Sequence, residues 1–330
     1  MRQRYDLSMT TRPTHVDVTQ LADRLYMIDA QMEGMGERLS CYLYDTPEPL
    51  LIDAGPATSF DHLCNVLDHI GINALATVLV THVHIDHGGA VGHFAKRFPD
   101  ARIAVHHVGV PHLARPVRLW NSTARIYGEQ ALRAKWGEMI PVPIDRIDAL
   151  FEGDAVSIGT PTDLQILDTP GHAKHHVTIF DPESGGMYVG DTVGLCYPHG
   201  HGIQPNTPPP DFDPRALTGQ LRRMASLDPS FVGFAHFGPR HDAQQALVES
   251  EERIWEWVSL IEGLARLPED EASRALAVDT LERFRSAGAS TKQLTFYDTA
   301  SGRWDMHLSG VRRWIHQQGA RPITGTEDEV

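Results

Sequence analysis

Short apolar runs broken by turn residues dominate the first 106 positions of the chain. Residues 24–29 (RLYMID), 40–45 (SCYLYD) and 49–55 (PLLIDAG) are three such runs and predict strands. The period then changes. Phe60, Leu63, Leu67 and Ile70 recur at helical spacing within 58–71, with Thr58 or Ser59 placed to cap that helix and Gly71 to end it. Residues 76–81 (ATVLVT) read as a buried strand, 88–100 as a helix and 102–106 (RIAVH) as another strand.

Residues 107–146 break the rhythm. They are rich in aromatics and carry prolines at both ends, which predicts a helical insertion. It either covers a pocket or stands as a plain surface hairpin. Strand patterns resume at 164–169, 176–181 and 186–191, and a proline-rich loop covers 202–214. A helix over 214–227 and a strand over 231–238 follow. From 242 onward the pattern is helical, with Ile254, Trp257, Val258 and Ile261 on one apolar face. No repeat of solenoid length stands out. Alternating strands and helices place the chain in the α/β class. The expected organisation is one β-rich domain over 1–241, with the 107–146 insertion and a helical extension over 242–330 packed on it.

Composition narrows the range of partners. The 330 residues are 41% hydrophobic and 22% charged, as in an ordinary soluble globular protein. No apolar run is long enough to span a membrane. The N-terminal stretch MRQRYDLSMTTRPTHVDV has no apolar core of the secretory kind, so the expected location is the cytoplasm. The net charge of −14, with no basic run, argues against nucleic acid as a partner. A small-molecule substrate and a homodimer are the remaining expectations. Cys41, Cys64 and Cys196 are widely spaced and form no CxxC, so they read as ordinary buried thiols. Histidine is the outlier, at 19 residues, and imidazole is the commonest metal ligand.

Four of those donors lie in VTHVHIDHGG (80–89), between a strand and a helix. Extended backbone would put His82 and His84 on one side of the chain. A turn into a helix would bring Asp86 and His87 back to the same point. The carboxyl end of a strand is also where open α/β sheets place ligands. Three later donors repeat the context. His172 (LDTPGH), Asp191 (YVGD) and His236 (VGFAH) each close a predicted strand.

This pattern, HxHxDH followed by His, Asp and His, resembles the metallo-β-lactamase-fold hydrolases over about residues 20–240. The resemblance implies a four-layer αββα sandwich of two mixed sheets with helices outside. It also implies that His82, His84 and His172 bind one metal, that Asp86, His87 and His236 bind a second, and that Asp191 bridges them. Asp86 and Asp191 are then the candidate catalytic carboxylates. Seven ligands are too many for one tetrahedral zinc and suit two divalent ions about 3.5–4 Å apart. Zinc is expected, with iron or manganese as alternatives. A bridging water with its pKa lowered to about 7 would be the nucleophile.

Asp53, at the end of LLID, either holds a liganding imidazole or simply forms a turn before Gly55. Thr81 and Thr169 are similar. His175 and His176 follow His172 closely and are candidates to support it. Tyr197, His199 and His201 follow Asp191 in a Gly/Pro-rich loop, where they could face substrate or protonate a leaving group. Trp120, Tyr127 and Trp136 fit either the core of the insertion or a pocket wall. His106, His107 and His112 are not expected to be ligands.

Fold alone does not select the reaction. True β-lactamases of the family usually place Cys or Ser where this chain has Asp191. Members that keep the aspartate include glyoxalase II-like thioesterases, lactonases and phosphodiesterases. The acidic charge disfavours a nuclease, and the acidic helix after Arg240 and His241 weakens a glutathione-thioester reading. A small ester, lactone or thioester is therefore the expected substrate. The alternatives are a phosphodiester or phosphotriester hydrolase, and a persulfide dioxygenase with one iron on His82, His172 and Asp191.

Overall fold

The computed structural model describes residues 17–198, 201–300 and 303–319. Its first sheet runs in chain order: β1 (Val18–Ala22), β2 (Leu25–Asp29), β3 (Ser40–Tyr44), β4 (Leu50–Ile52), β5 (Thr77–Val80), β6 (Arg102–His106) and β7 (Ile147–Leu150). β1 to β4 pair antiparallel, and β4 to β7 pair parallel. The second sheet contains β8 (Ala155–Val156), β9 (Leu164–Asp168), β10 (Val177–Asp181), β11 (Gly186–Tyr188), β12 (Phe231–Phe234) and β13 (Gly238–Arg240), in the spatial order β13-β12-β11-β10-β9-β8.

Helices cover both outer faces. α1 (Phe60–His69), α2 (Ile85–Gly88), α3 (Val91–Arg97), α4 (Val110–Ala114), α5 (Val117–Tyr127) and α6 (Glu129–Trp136) belong to the first half of the chain. α7 (Pro214–Ser226), α8 (Ala243–Gly263), α9 (Glu269–Ser286), α10 (Thr291–Ala300) and α11 (Trp304–Gly319) belong to the second. Among the described residues, no helix is long and apolar enough to cross a membrane.

Strand alternation builds the layers. Leu50, Ile52 and Leu79 point between the sheets, onto Ile166, Ile179, Tyr188 and Phe231. Their neighbours Leu51, Val78 and Val80 point outward, onto Leu63 of α1 and Phe94 of α3. Both faces are covered, which is why ATVLVT reads as an unbroken apolar run. On the other side, Phe180, Met187, Val232 and Phe234 pack under Leu221, Ile254, Leu276 and Leu308 of α7, α8, α9 and α11. The result is the αββα sandwich. α7, α8, α9 and α11 thus share one apolar cluster with the second sheet.

The insertion is helical, as α4 to α6, although its helices are short. Two expected elements are cut differently. The helix expected over 88–100 starts earlier, at Ile85, and divides into α2 and α3 around Gly89 and Ala90. A Cβ on Gly89 would lie 2.2 Å from the Ile85 carbonyl oxygen and 3.0 Å from Pro56 Cα, so the backbone there is too close to its neighbours for a side chain. The strand expected over 231–238 ends at Phe234, and His236 lies in the turn before β13. β1, β7, β8 and β13 were not anticipated.

Candidate metal centre

The centre forms where strands of both sheets end. Asp53 follows β4, and Thr81 and His82 follow β5. His84 stands in extended backbone at the start of α2, which carries Asp86 and His87. His172 lies after β9, Asp191 after β11 and His236 after β12. From His82 to His236, a separation of 154 positions thereby collapses to one point.

The donors fall into two groups. In His82, His84, His172 and Asp191 the ligand atoms all lie within 4.8 Å of one another, and so do those of Asp86, His87 and His236. Asp191 faces both. Its Oδ2 is 3.7 Å from His82 Nε2 and 3.4 Å from His172 Nε2. Its Oδ1 is 3.4 Å from His87 Nε2 and 3.6 Å from His236 Nε2.

Behind this ring, four of the five imidazoles are held by their other nitrogen, while His84 turns its Nδ1 toward His82 and His172. His87 Nδ1 donates to Asp53 Oδ2 at 3.0 Å, and His172 Nδ1 to the Asn206 carbonyl at 3.1 Å. His236 Nδ1 donates to the Arg38 carbonyl at 2.6 Å, and His82 Nδ1 meets Thr81 Oγ1 at 3.1 Å. These bonds orient the rings and aim their Nε2 atoms inward. Asp53 also accepts the Thr81 N–H at 2.8 Å and the Thr81 hydroxyl at 2.9 Å. It does so from a left-handed backbone, φ 61°, a conformation a non-glycine residue keeps only when its surroundings enforce it.

His87 Nε2, His236 Nε2 and Asp191 Oδ1 are buried and make no hydrogen bond among the described residues. Each such atom would cost about 1–3 kcal/mol if nothing satisfied it. Three of them converging on one point fit a cation. Electrostatics agree. Burial, reinforced by neighbouring imidazoles, holds His82 well below its ordinary pKa and brings His84 down to about 4. His172 is lowered too, again chiefly by burial. These rings are neutral and keep a free lone pair. Burial works against the charged form of His87, but Asp191, Asp86 and Asp53 outweigh it and raise its pKa well above the usual range. Burial likewise opposes the charge on Asp191, but His87 and His236 overcome it and push the carboxyl well below its normal value.

The sequence profile of the metallo-beta-lactamase superfamily matches residues 37–236, a span that contains every one of these donors. The chain belongs to the metallo-β-lactamase superfamily. Within it, ST1585 of Sulfurisphaera tokodaii, a metallo-beta-lactamase fold-containing protein, is 25% identical over 193 residues, 57% of this chain and 68% of that one. The crystal structure of ST1585 superposes with a TM-score of 0.61 at 20% identity, covering 87% of this chain and 98% of the other, which shows the shared fold. The probable metallo-hydrolase YqjP of Bacillus subtilis is 25% identical over 232 residues, 63% of this chain and 69% of its own. An acyl-coenzyme A thioesterase of Gallus gallus is 27% identical over 187 residues, 52% of this chain and 64% of that one. This metallo-β-lactamase-superfamily member is a metal-dependent hydrolase with a His/Asp metal-binding site.

The structure brings all seven expected donors together. Asp53 sits against His87 and Thr81 rather than serving only as a turn. His176 stacks on His82 at 4.9 Å and accepts the Asp191 N–H at 3.1 Å, while Thr169 and Thr192 hold its Nδ1 at 2.9 and 3.0 Å. Gly190 makes that approach possible, because a Cβ there would lie 2.5 Å from His176 Nε2. Tyr197 lines a cavity beside the centre, and its hydroxyl donates to the Ala300 carbonyl at 2.8 Å. His199 lies outside the described residues. His106 and His107 pair with each other away from the centre, and His106 approaches Asp168 at 3.4 Å.

Two residues escaped the sequence reading. Asn206 donates from Nδ2 to Asp191 Oδ2 at 2.7 Å, and Arg38 supplies the carbonyl that orients His236. Asn206 is one amide in a proline-rich loop, and a backbone carbonyl leaves no trace in side-chain pattern. Among the described residues, two cavities border the centre. One, of about 400 Å³, lies under the insertion and is walled by Leu119, Ile126, Trp136 and Met306. The other, of about 210 Å³, lies toward the C-terminal helices and is lined by Arg38, Lys135, Tyr197, His236 and Arg303. Asp86, Tyr127, Trp136, Asn206 and Met306 border both.

Proposed function

We propose that this hydrolase cleaves a small ester, lactone or thioester with two divalent metal ions, zinc by preference. His82, His84 and His172 would hold one ion, Asp86, His87 and His236 the other, and Asp191 would serve both. The observation that carries this reading is the placement of Asp191, one oxygen toward each group of imidazoles. Two such ions supply Lewis-acid polarisation of a carbonyl and a nucleophile generated from water near neutral pH.

The chain's own groups do the rest. Asn206 and the His176-supported backbone fix Asp191, so its two oxygens need no reorganisation. The Tyr127 hydroxyl lies at the border of both cavities, where it can give a proton to a departing oxygen or sulfur. Its hydrogen bond is to the soft Met306 thioether at 3.7 Å, a weak competitor. The apolar walls of the larger cavity suit an acyl group and exclude water. The name of the Gallus gallus relative, an acyl-coenzyme A thioesterase, points the same way. A net charge of −14 without a basic run disfavours a polyanionic phosphodiester.

The test combines metal analysis of the purified protein with lactone, ester, thioester and phosphoester panels. Two zinc ions per chain with acyl-ester turnover is the expected result. One iron per chain with sulfite formed from a persulfide would overturn it.

A further inference from the structure

The smaller cavity is cationic in a chain that is strongly acidic. Arg38 is its innermost positive group, with only 4% of its side chain exposed. Its ion-pair partner is Glu33 Oε2 at 3.3 Å, and Lys135 Nζ claims the same oxygen at 3.4 Å. Two cations therefore share one carboxylate. Arg303 is already matched by Asp305. Asp86, the other acid on the wall, faces His87 and His236. Among the described residues, one positive charge is left over.

Among the described residues, Arg38 is also under-bonded. Nη2 donates to the Ala300 carbonyl at 3.3 Å, and Nη1 reaches only the Met35 thioether at 3.9 Å besides Glu33. Nε is buried and makes no hydrogen bond. Buried guanidinium groups are ordinarily paired and fully bonded. A planar fork of this kind with spare donors matches a carboxylate. The cavity it lines touches the metal centre through Asp86 and His236.

We propose that this cavity binds a carboxylate carried by the substrate, anchored by Arg38, so that the preferred substrates are anionic acyl esters or thioesters. The apolar remainder of the substrate then occupies the larger cavity, and the scissile carbonyl lies at the border the two share. This inference rests on the acyl-ester reading above.

Matched substrate pairs test it on the metal-loaded full chain. One pair is 4-nitrophenyl hydrogen glutarate and 4-nitrophenyl valerate, with the carboxylate in the acyl half. The other is 3-acetoxybenzoate and phenyl acetate, with the carboxylate in the alcohol half. In at least one pair the anionic member should win by about tenfold or more in kcat/KM, the scale of one charge-assisted hydrogen bond. In Arg38→Gln that ratio should fall toward one, whatever happens to the absolute rates. Lys135→Glu, at a half-exposed rim position, should lower the same ratio and decides the matter if Arg38→Gln does not fold. Ratios near one in both wild-type pairs, or a preference untouched by these variants, would overturn the subsite. If no ester is turned over, the acyl-ester reading fails on its own. The subsite is then judged by thermal shift with glutarate against glutaramide. Stabilisation by glutarate that Arg38→Gln abolishes supports it, and equal stabilisation of both proteins overturns it.

Discussion

Asn206 Nδ2 donates to Asp191 Oδ2 at 2.7 Å, a distance typical of a hydrogen bond to a charged oxygen. The same residue's carbonyl accepts from His172 Nδ1. One loop position thus orients two of the donors. Replacing Asn206 with Ala removes the first contact and keeps the second. Metal affinity and kcat should each fall about tenfold, the usual scale for a group that steadies a ligand. Asn206→Asp should do worse, because it sets a second carboxylate against Asp191. Metal titration by competition with a chelator, beside steady-state rates, checks both. Wild-type affinity in Asn206→Ala would remove the orienting role.

Asp53 is the second such position. It joins the Thr81 backbone, the Thr81 hydroxyl and His87. Asp53→Ala leaves a buried N–H and a buried imidazole nitrogen unpaired. Stability should drop by about 2–4 kcal/mol at neutral pH, from two unmade buried bonds. Asp53→Asn retains one acceptor and should recover part of the loss. Urea unfolding of metal-free protein isolates this effect from metal binding.

How much of the centre was legible depends on what kind of atom does the work. The HVHIDH cluster is legible because four donors at such short spacing, between a strand and a helix, have few other uses. His172, Asp191 and His236 are legible because each follows a strand. Arg38 acts on His236 through a carbonyl, which any residue could offer, so no residue type could announce it. Asn206 is one polar residue among prolines. The strands divide in the same way. β5 is covered on both faces and reads as an apolar run. β8 has two residues, neither of them buried. β1 buries only Val18 of its five residues, and neither short pattern stands clear of its surroundings.

Tyr127 invites a prediction that separates chemistry from binding. Burial, reinforced by the Asp86 carboxylate, raises its pKa to about 12, so the phenol keeps its proton at working pH. A protonated group beside the reaction centre matters most when the leaving group is a poor one. Tyr127→Phe should therefore slow alkyl-ester hydrolysis about tenfold or more and 4-nitrophenyl-ester hydrolysis much less, with KM little changed. An equal loss on both substrates would make Tyr127 a pocket wall only.

His87 predicts a proton count. Its ring faces Asp53 Oδ2 at 3.0 Å, Asp191 Oδ1 at 3.4 Å and Asp86 Oδ2 at 3.8 Å. Those three carboxylates overcome the effect of burial and raise its pKa well above the usual imidazole range. In metal-free protein at pH 7 the ring is therefore charged. His82, His84 and His172 are shifted the other way, and Asp191 is already ionised. An ion held as proposed would need the neutral His87 ring, so loading its group would expel that proton. About one proton should leave as the ion binds, and affinity should strengthen with rising pH by about tenfold per unit until the His87 pKa is passed. Calorimetric titration of chelator-treated protein in buffers of different ionisation enthalpy reads the count directly. A His87→Gln variant should bind more weakly and lose the proton release, and a heat that is independent of buffer in the wild type would show that His87 was never charged.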